Sequence, residues 1–446
     1  MEKKNIERVI SDRLSRTSGI DFEIFLARKK VVSIGIKDGS LDHFRSSNEL
    51  GLALRVLEEG RLGFAYLFGP SPEGLDHLAD QALELAGQSD VDPNYSFSSE
   101  SKPASNKLEL FDESIETIPE KEKIARVKEM EQSALNYDPR IKKARKAEYQ
   151  EVTNYASLTN SGGLNLERKD TQCSMSIMIL AEDNSSSEMG WDLGAARFYK
   201  DLDPINIGRT AANRSIQMLG SRPISTARLP AVLENRVVVD VLEAWASSFY
   251  GENVYKGKSF LKGKINQVVA SPSIQLTDDG LYPKGMGSAP FDDEGIPQAK
   301  TILVKDGTLV SYLLDGYWSK KMESEPTGNS FRSQIASPPT TSVSNLFIDS
   351  GSSSPEQLLS KMDDGVFITE VMGAHTIDPV SGEFSLGASG MRIQNGKPAF
   401  PVKGVTISGT IYDLFSSVIE LGDDLRFLGR IGAPSVLLRE IIVSGE

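Results

Sequence analysis

The stretch 30-KVVSIGIKDGSLDHFRSSNELGLALRVLEEGRLGFAYLF-68 sets the class of fold. Lys30–Lys37 runs into Asp38-Gly39, a dipeptide that readily takes the positive backbone angles of a tight hairpin turn. Leu50–Leu57 and Leu62–Phe68 follow on either side of the turn Glu58-Glu59-Gly60, and Phe22–Ala27 precedes them. Strands joined by such short turns run antiparallel. Working outward, Ile6, Val9, Ile10 and Leu14 recur at helical spacing before Gly19. On the other side, Ser71-Pro72 opens a helix carrying Leu75, Leu78, Ala82 and Leu83, with Ser suited to the N-cap and Pro to the first turn. Residues 1–88 therefore read as an N-terminal α+β segment. Residues 89–110, rich in Ser, Pro and Asp and without periodicity, read as a linker.

Residues 111–222 repeat the order of elements without an obvious sequence repeat. Thr117-Ile118-Pro119-Glu120 has the capping-box pattern and leads into Ile124, Val127 and Met130. Extended segments flank the turn Asn160-Ser161-Gly162-Gly163, and a helix with Ala212, Ile216 and Leu219 closes the segment. Two helix–antiparallel sheet–helix units in tandem indicate α+β architecture, not a wound parallel sheet. Residues 227–446 read as a β-rich C-terminal domain. Asp306-Gly307 and Asn395-Gly396 mark hairpins. One helix starts at Asn235 with Val238, Val241, Leu242, Trp245 and Phe249. A short one has the box Ser354-Pro355-Glu356-Gln357, and a last one carries Ile411, Leu414, Phe415, Val418 and Ile419 up to Gly422.

Composition narrows the function. The 446 residues are 39% apolar and 25% charged, ordinary for a globular chain. A net charge of −13 argues against dedicated binding to nucleic acid or an anionic membrane. No stretch approaches the roughly 18 apolar residues of a membrane span, and the polar start MEKKNIERVI lacks a signal core. The expectation is a soluble cytoplasmic protein. With one cysteine, Cys173, and three histidines, His43, His77 and His375, a disulfide framework is excluded within the chain. No two histidines lie close enough to share a helix face, so a self-contained zinc site is not available.

The remaining candidates are few. His375 follows the apolar strand Val366–Met372, while His77 reads as a solvated helix residue and His43 as a strand residue. The acidic run Asp292-Asp293-Glu294 offers three carboxylates on a tight turn to a hard cation, although an exposed turn or carboxylates capping backbone amides explains it more cheaply. The basic run Arg140–Lys146 reads as a solvated strand edge. Gly285-Met286-Gly287 and Gly387-Ala388-Ser389-Gly390 read as turns or as places where backbones approach closely. Cys173 reads as a buried, inert thiol. Neither a Gly-x-Ser-x-Gly elbow nor a P-loop is present.

A set of blocks in the second half carries a resemblance. Phe291–Gly295, Pro326-Thr327-Gly328-Asn329, Glu370-Val371-Met372-Gly373, Ser381–Gly390 and Pro401–Gly409 occur in that order. Together they resemble the TldD/PmbA family, long labelled modulators of DNA gyrase, and Thr369–Gly373 with Ser435–Leu438 is more similar to the PmbA (TldE) branch. The resemblance implies a two-subunit, zinc-dependent peptidase. In the TldD branch a helix bears His-Glu-x-x-x-His; the matching stretch here is Leu242–Ser247, placed by Gly257–Leu261 downstream. Leu242 and Ser247 then stand at the ligand positions and Glu243 at that of the glutamate. Zinc and its chemistry would belong to a TldD-type partner, with no cofactor in this chain. Asn329 lies in a family block and joins Asp292, Asp293, Glu294 and His375 as a site candidate.

The resemblance therefore implies a non-catalytic subunit, inactive alone, that pairs with a TldD-type zinc peptidase and helps enclose unfolded or extended peptides. Isolated, such a chain is expected to form a two-fold homodimer. Two alternatives stand beside it. One is a metal-dependent peptidase in its own right, with metal at Asp292, Asp293, Glu294 or His375 and the site shared across a dimer interface. The other is a protein-binding modulator of gyrase.

Overall fold

The structure is a computed structural model that describes residues 3–16, 18–98, 108–183 and 186–445. Of the linker 89–110, residues 99–107 lie outside the described residues. The first half runs α1 (Lys3–Leu14), β1 (Ile20–Lys37), β2 (Ser40–Glu58), β3 (Arg61–Phe68), α2 (Pro72–Gln88), α3 (Glu120–Leu135), β4 (Ile141–Asn160), β5 (Asn165–Glu182), β6 (Ser187–Ala196) and α4 (Pro204–Gln217). All six strands form one antiparallel sheet of order β3-β2-β1-β4-β5-β6. The two helix–sheet–helix units are thus halves of a single sheet, joined along β1 and β4 from Glu23↔Asn160 to Ile36↔Ala147. The break expected between Phe22–Ala27 and Lys30–Lys37 does not exist. Arg28 pairs with Leu50 on one side and Tyr155 on the other, and ladders on both flanks keep this polar stretch extended.

Alternation along β1 assigns the two faces. Ile24 packs with Leu52, Leu54 and Val56 beneath α1 and α2, and Val32, Ile34 and Ile36 pack beneath α3 and α4. Each such side chain, fully buried, contributes about 1.5–3 kcal/mol. The opposite face presents Phe25, Ala53, Leu158 and Leu166, which close against Phe291 of the C-terminal half. Register also explains the basic run. The pairing of β1 with β4 ends at Ala147, so Ile141–Lys146 is paired with β5 alone and its lysines line a free edge.

The C-terminal half continues with β7 (Ala227–Leu233), α5 (Asn235–Ala246), α6 (Gly251–Tyr255), β8 (Leu276–Asp279), β9 (Lys300–Lys305), β10 (Thr308–Leu309) and α7 (Gly316–Lys321). Next come β11 (Ser330–Phe331), β12 (Thr340–Thr341), β13 (Leu346–Ile348), α8 (Pro355–Ser360), β14 (Asp364–Met372), β15 (Glu383–Gln394) and β16 (Lys397–Thr410). It ends with α9 (Ile411–Ser416), β17 (Val418–Leu421), β18 (Arg426–Leu428), β19 (Ile431–Ala433) and β20 (Val436–Ser444). Two six-stranded sheets result, β10-β9-β8-β13-β19-β18 and β16-β15-β14-β7-β20-β17. The fold is α+β with a β-rich C-terminal part. No helix among the described residues is long and apolar enough to cross a membrane.

Two local expectations are corrected. The box at Thr117 does not form: α3 starts after Pro119, which makes no side-chain cap, and Thr117 Oγ1 donates to Ser114 O instead. The box at Ser354 does form, with both reciprocal bonds present. The last helix stops at Ser416, and Val418 and Ile419, expected on it, belong to β17, which pairs with β20. Strand pairing for β-branched Val418 outweighs the helical spacing. The glycines behave as read: a Cβ at Gly287 would lie 1.9 Å from Ser344 O, and one at Gly390 1.9 Å from Phe367 O.

Candidate functional site

Helix α5 sits between the two C-terminal sheets, and its sequence dictates which residues it hides. Val238, Val241, Leu242 and Trp245 recur at helical spacing and enter the largest core, with Leu276, Leu303, Ile368 and Phe415. The Trp245 ring stacks on Phe415 with centroids 4.6 Å apart. Leu242 is consequently fully buried, and Glu243, the next residue, is exposed. Ser247 ends the helix half-buried, its Oγ 3.4 Å from Ala244 O.

Around the outer face of α5 the fold gathers charge. Asp240 lies one turn before Glu243, and burial pushes its carboxyl up to about 6; the Arg236 guanidinium opposes this, while the charges of Glu243 and Glu370 add to it. Glu370 comes from β14 and accepts from Trp191 Nε1 of β6 at 3.0 Å. Arg236 lies over the Trp191 ring, 3.7 Å from its centroid, and donates to Trp191 O at 3.2 Å. A cavity of about 30 Å³ between Arg214, Arg236, Glu370 and Ser389 has room for a single water. Gly373, at φ +90°, turns the chain after β14 into a short 3-10 turn that carries the exposed His375 beside α5. The structure thus brings the turn of His375 beside α5, the helix of Glu243, which sequence spacing does not show. Asp240 and Glu370 were missed as site residues; the signal for Asp240 is an acid three residues before Glu243 inside the apolar run Val237–Leu242.

A zinc centre on this helix would need donors at 242 and 247. Leu242 has none and is enclosed by the core, and the Ser247 hydroxyl is turned toward a helix carbonyl. Among the described residues, no group of three or more His, Cys, Asp or Glu is placed to hold a metal ion. The residues present do not fit zinc.

The acidic run is not an exposed turn. Asp292 is fully buried, and its Oδ1 accepts the N–H groups of Glu294 and Ile296, each at 2.9 Å, while Oδ2 accepts that of Ser330 at 3.0 Å. Asp293 pairs with Arg168 of β5 and accepts the N–H of Arg332 at 2.7 Å. Glu294 accepts from Arg55 Nη1 at 2.8 Å and from the N–H of Gly316 at 2.9 Å. These carboxylates clamp the C-terminal half to the sheet. Asn329 is buried as well, donating from Nδ2 to Asp278 Oδ2 at 2.7 Å and to Ser342 O at 3.1 Å. His77 is exposed on α2, and Cys173 is a buried thiol that burial raises to about 12. His43 bridges Ser33 Oγ and the Asp42 carboxylate at 3.2 Å each. Ser33 lies mid-strand with ladders on both sides, so the backbone N–H groups of the sheet around it are already paired and offer no oxyanion hole.

Family comparison agrees with this architecture along its length. Residues 22–86 match the PmbA/TldA metallopeptidase domain 1, residues 113–219 its central domain and residues 226–445 its C-terminal domain. The chain belongs to the PmbA/TldD metallopeptidase family. A relative named metalloprotease PmbA from Escherichia coli O157:H7 is 26% identical over 450 residues, covering 100% of this chain and 97% of its own. A metalloprotease from Methanothermobacter thermautotrophicus is 27% identical, with 95% of each chain covered. Among solved structures, a Thermotoga maritima protein with the provisional description of a DNA gyrase modulator superposes with a TM-score of 0.91 at 29% identity, over 99% of this chain and 100% of that one. TldE from Thermococcus kodakarensis shares the fold, with a TM-score of 0.88 at 20% identity over 99% of this chain and 100% of that one.

Proposed function

We propose that this chain is the non-catalytic subunit of a two-chain metallopeptidase that acts on unfolded or extended peptides. One observation carries the reading. At the helix where the family's metal-binding branch places two histidines, this chain has an apolar residue locked in the core and a hydroxyl bonded to its own helix. A hydroxyl or alkyl group in those places leaves a divalent ion without the neutral nitrogen donors it requires. The exposed Glu243 then has no metal-bound water to deprotonate.

The partner in this reading is a TldD-type subunit that supplies zinc, and the contribution of this chain is to stabilise that subunit and to help enclose the peptide path. A narrow enclosed path admits an extended chain and excludes a folded domain. In the absence of the partner the chain forms a two-fold homodimer. The test is to co-express the chain with a TldD-type subunit, purify the pair, and compare cleavage of an unfolded protein by the pair and by each chain alone. Cleavage by the pair with none by this chain supports the reading; cleavage by this chain alone overturns it.

One observation favours a second reading. The exposed His375 sits on a turn packed beside α5, the helix that carries Asp240 and Glu243, and a metal site completed by a neighbouring chain would draw on it. His375→Ala distinguishes the two, because it would abolish activity of the pair only in this second reading.

A further inference from the structure

The helices cover the even-numbered face of the first sheet in two separate pairs, and among the described residues the strip between them is open. Ile24 is roofed by α1 and α2, and Val32 by α3 and α4, while Arg28 between them is exposed. The open strip is the floor of a groove of about 1070 Å³. That lies just above the ~300–1,000 Å³ range of small-molecule pockets and suits several residues of a peptide. One cross-strand row, Leu50–Arg28–Tyr155–Lys169, runs across its floor.

The groove is cationic in a chain of net charge −13. Lys3, Arg28, Lys30 and Lys169 face Glu116 and Glu167, and the guanidinium of Arg168 turns to Asp293 on the opposite face. Lys30 is paired with Glu116, Lys3 with Glu167, and Lys169 with Glu113. Among the described residues Arg28 has no carboxylate partner. Beside it stands Tyr155, 39% exposed and packed on Phe111, whose ring lies 4.0 Å from Lys169 Nζ. An unpaired guanidinium flanked by an aromatic ring is a receptor for a carboxylate carried on an apolar stem.

We infer that this groove binds an acidic peptide segment, with Arg28 as the carboxylate anchor and Tyr155 as the apolar wall. Strands β1 and β4 are interior to the sheet, so their backbone groups are already paired and recognition must come from side chains, not from strand addition. A nucleic-acid strand is disfavoured because its continuous phosphates would run over Glu116 and Glu167, with one cation free of a carboxylate among the described residues to neutralise them. The site lies on the sheet face turned away from the C-terminal half, so it does not depend on the subunit reading above.

The test is fluorescence anisotropy with the full chain and three probes: a short labelled peptide rich in Asp and Glu, a Lys-rich peptide of equal length, and single-stranded oligothymidylate. The acidic peptide should bind saturably and more weakly as salt is raised. Arg28→Glu should weaken it about tenfold or more, and Arg28→Gln and Tyr155→Ala should each weaken it severalfold. Arg228→Glu, an exposed cation of the C-terminal half, controls for net charge and should leave binding within about twofold. Thermal melting shows which variants are folded, and Arg28→Gln decides the matter if the charge reversal does not fold. The inference is overturned by absence of saturation, by equal loss in Arg228→Glu, by binding of the Lys-rich peptide as tightly as the acidic one, or by tighter binding of oligothymidylate.

Discussion

Individual carboxylates in this chain do structural work, and their partners show it. Asp292 accepts three backbone N–H groups at once. Truncating it leaves three buried donors unpaired, so Asp292→Ala should lose about 3 kcal/mol or more in urea unfolding. The spacing of Asp292-Asp293-Glu294 displays an acidic turn in the sequence. It does not display Arg55, Arg168 and Arg332, which come from far along the chain and convert the turn into a clamp. Asp315 offers a pH test. Burial and the Glu294 charge push its carboxyl up to about 6. A carboxyl raised in the folded state contributes stability that is present below about pH 4 and is lost as pH rises through about 6. Asp315→Asn preserves an acceptor for the Trp318 N–H and removes the titration. Unfolding free energies measured across that window should therefore fall with rising pH on the order of 2–3 kcal/mol more in the natural chain than in the variant.

At the scale of elements, helix α5 separates packing from chemistry within two adjacent residues. Leu242→Ala should cost about 2–5 kcal/mol because it opens a cavity in a core that cannot collapse. Glu243→Gln, on the exposed side, should stay within about 0.5 kcal/mol of the natural chain in the same unfolding assay and leave peptide cleavage by the reconstituted pair unchanged. A large loss of that cleavage would place Glu243 in the machinery. The helix itself was legible from Val238, Val241, Leu242 and Trp245, since helical spacing reports a buried stripe directly. The end of the chain was less so. Ile411 to Ile419 keeps helical spacing across a boundary that β20 imposes by pairing with Val418 and Leu421, and a partner so distant in sequence leaves no local mark. The same limit concealed the join of β1 to β4. Two tandem units can be read from turns and caps, but which edge strands meet is a long-range fact.

For the whole molecule, the two halves meet through a buried charge network. Arg55 binds Glu23 through Nε and Nη2, both at 2.9 Å, and reaches Glu294 of the other half through Nη1. Removing it leaves Glu23 with only the Arg332 guanidinium at 3.4 Å and Glu294 with the Gly316 N–H, so Arg55→Ala should cost about 3 kcal/mol and speed proteolysis at the junction of the halves. The α+β class, the β-rich second half and the family are readable without this network, because turns, periodicity and ordered blocks are local signals. The carboxylates around α5 are not, because Glu370 reaches them from another element. In the proposed function, metal and peptidase activity reside in a second chain. The most direct measurement is a metal count on purified chain, alone and after assembly with a TldD-type subunit, paired with a peptide-cleavage assay on the same samples. The chain alone should hold no stoichiometric zinc and show no cleavage, and the assembled pair should hold about one zinc and cleave. Stoichiometric zinc with cleavage by the isolated chain would contradict it.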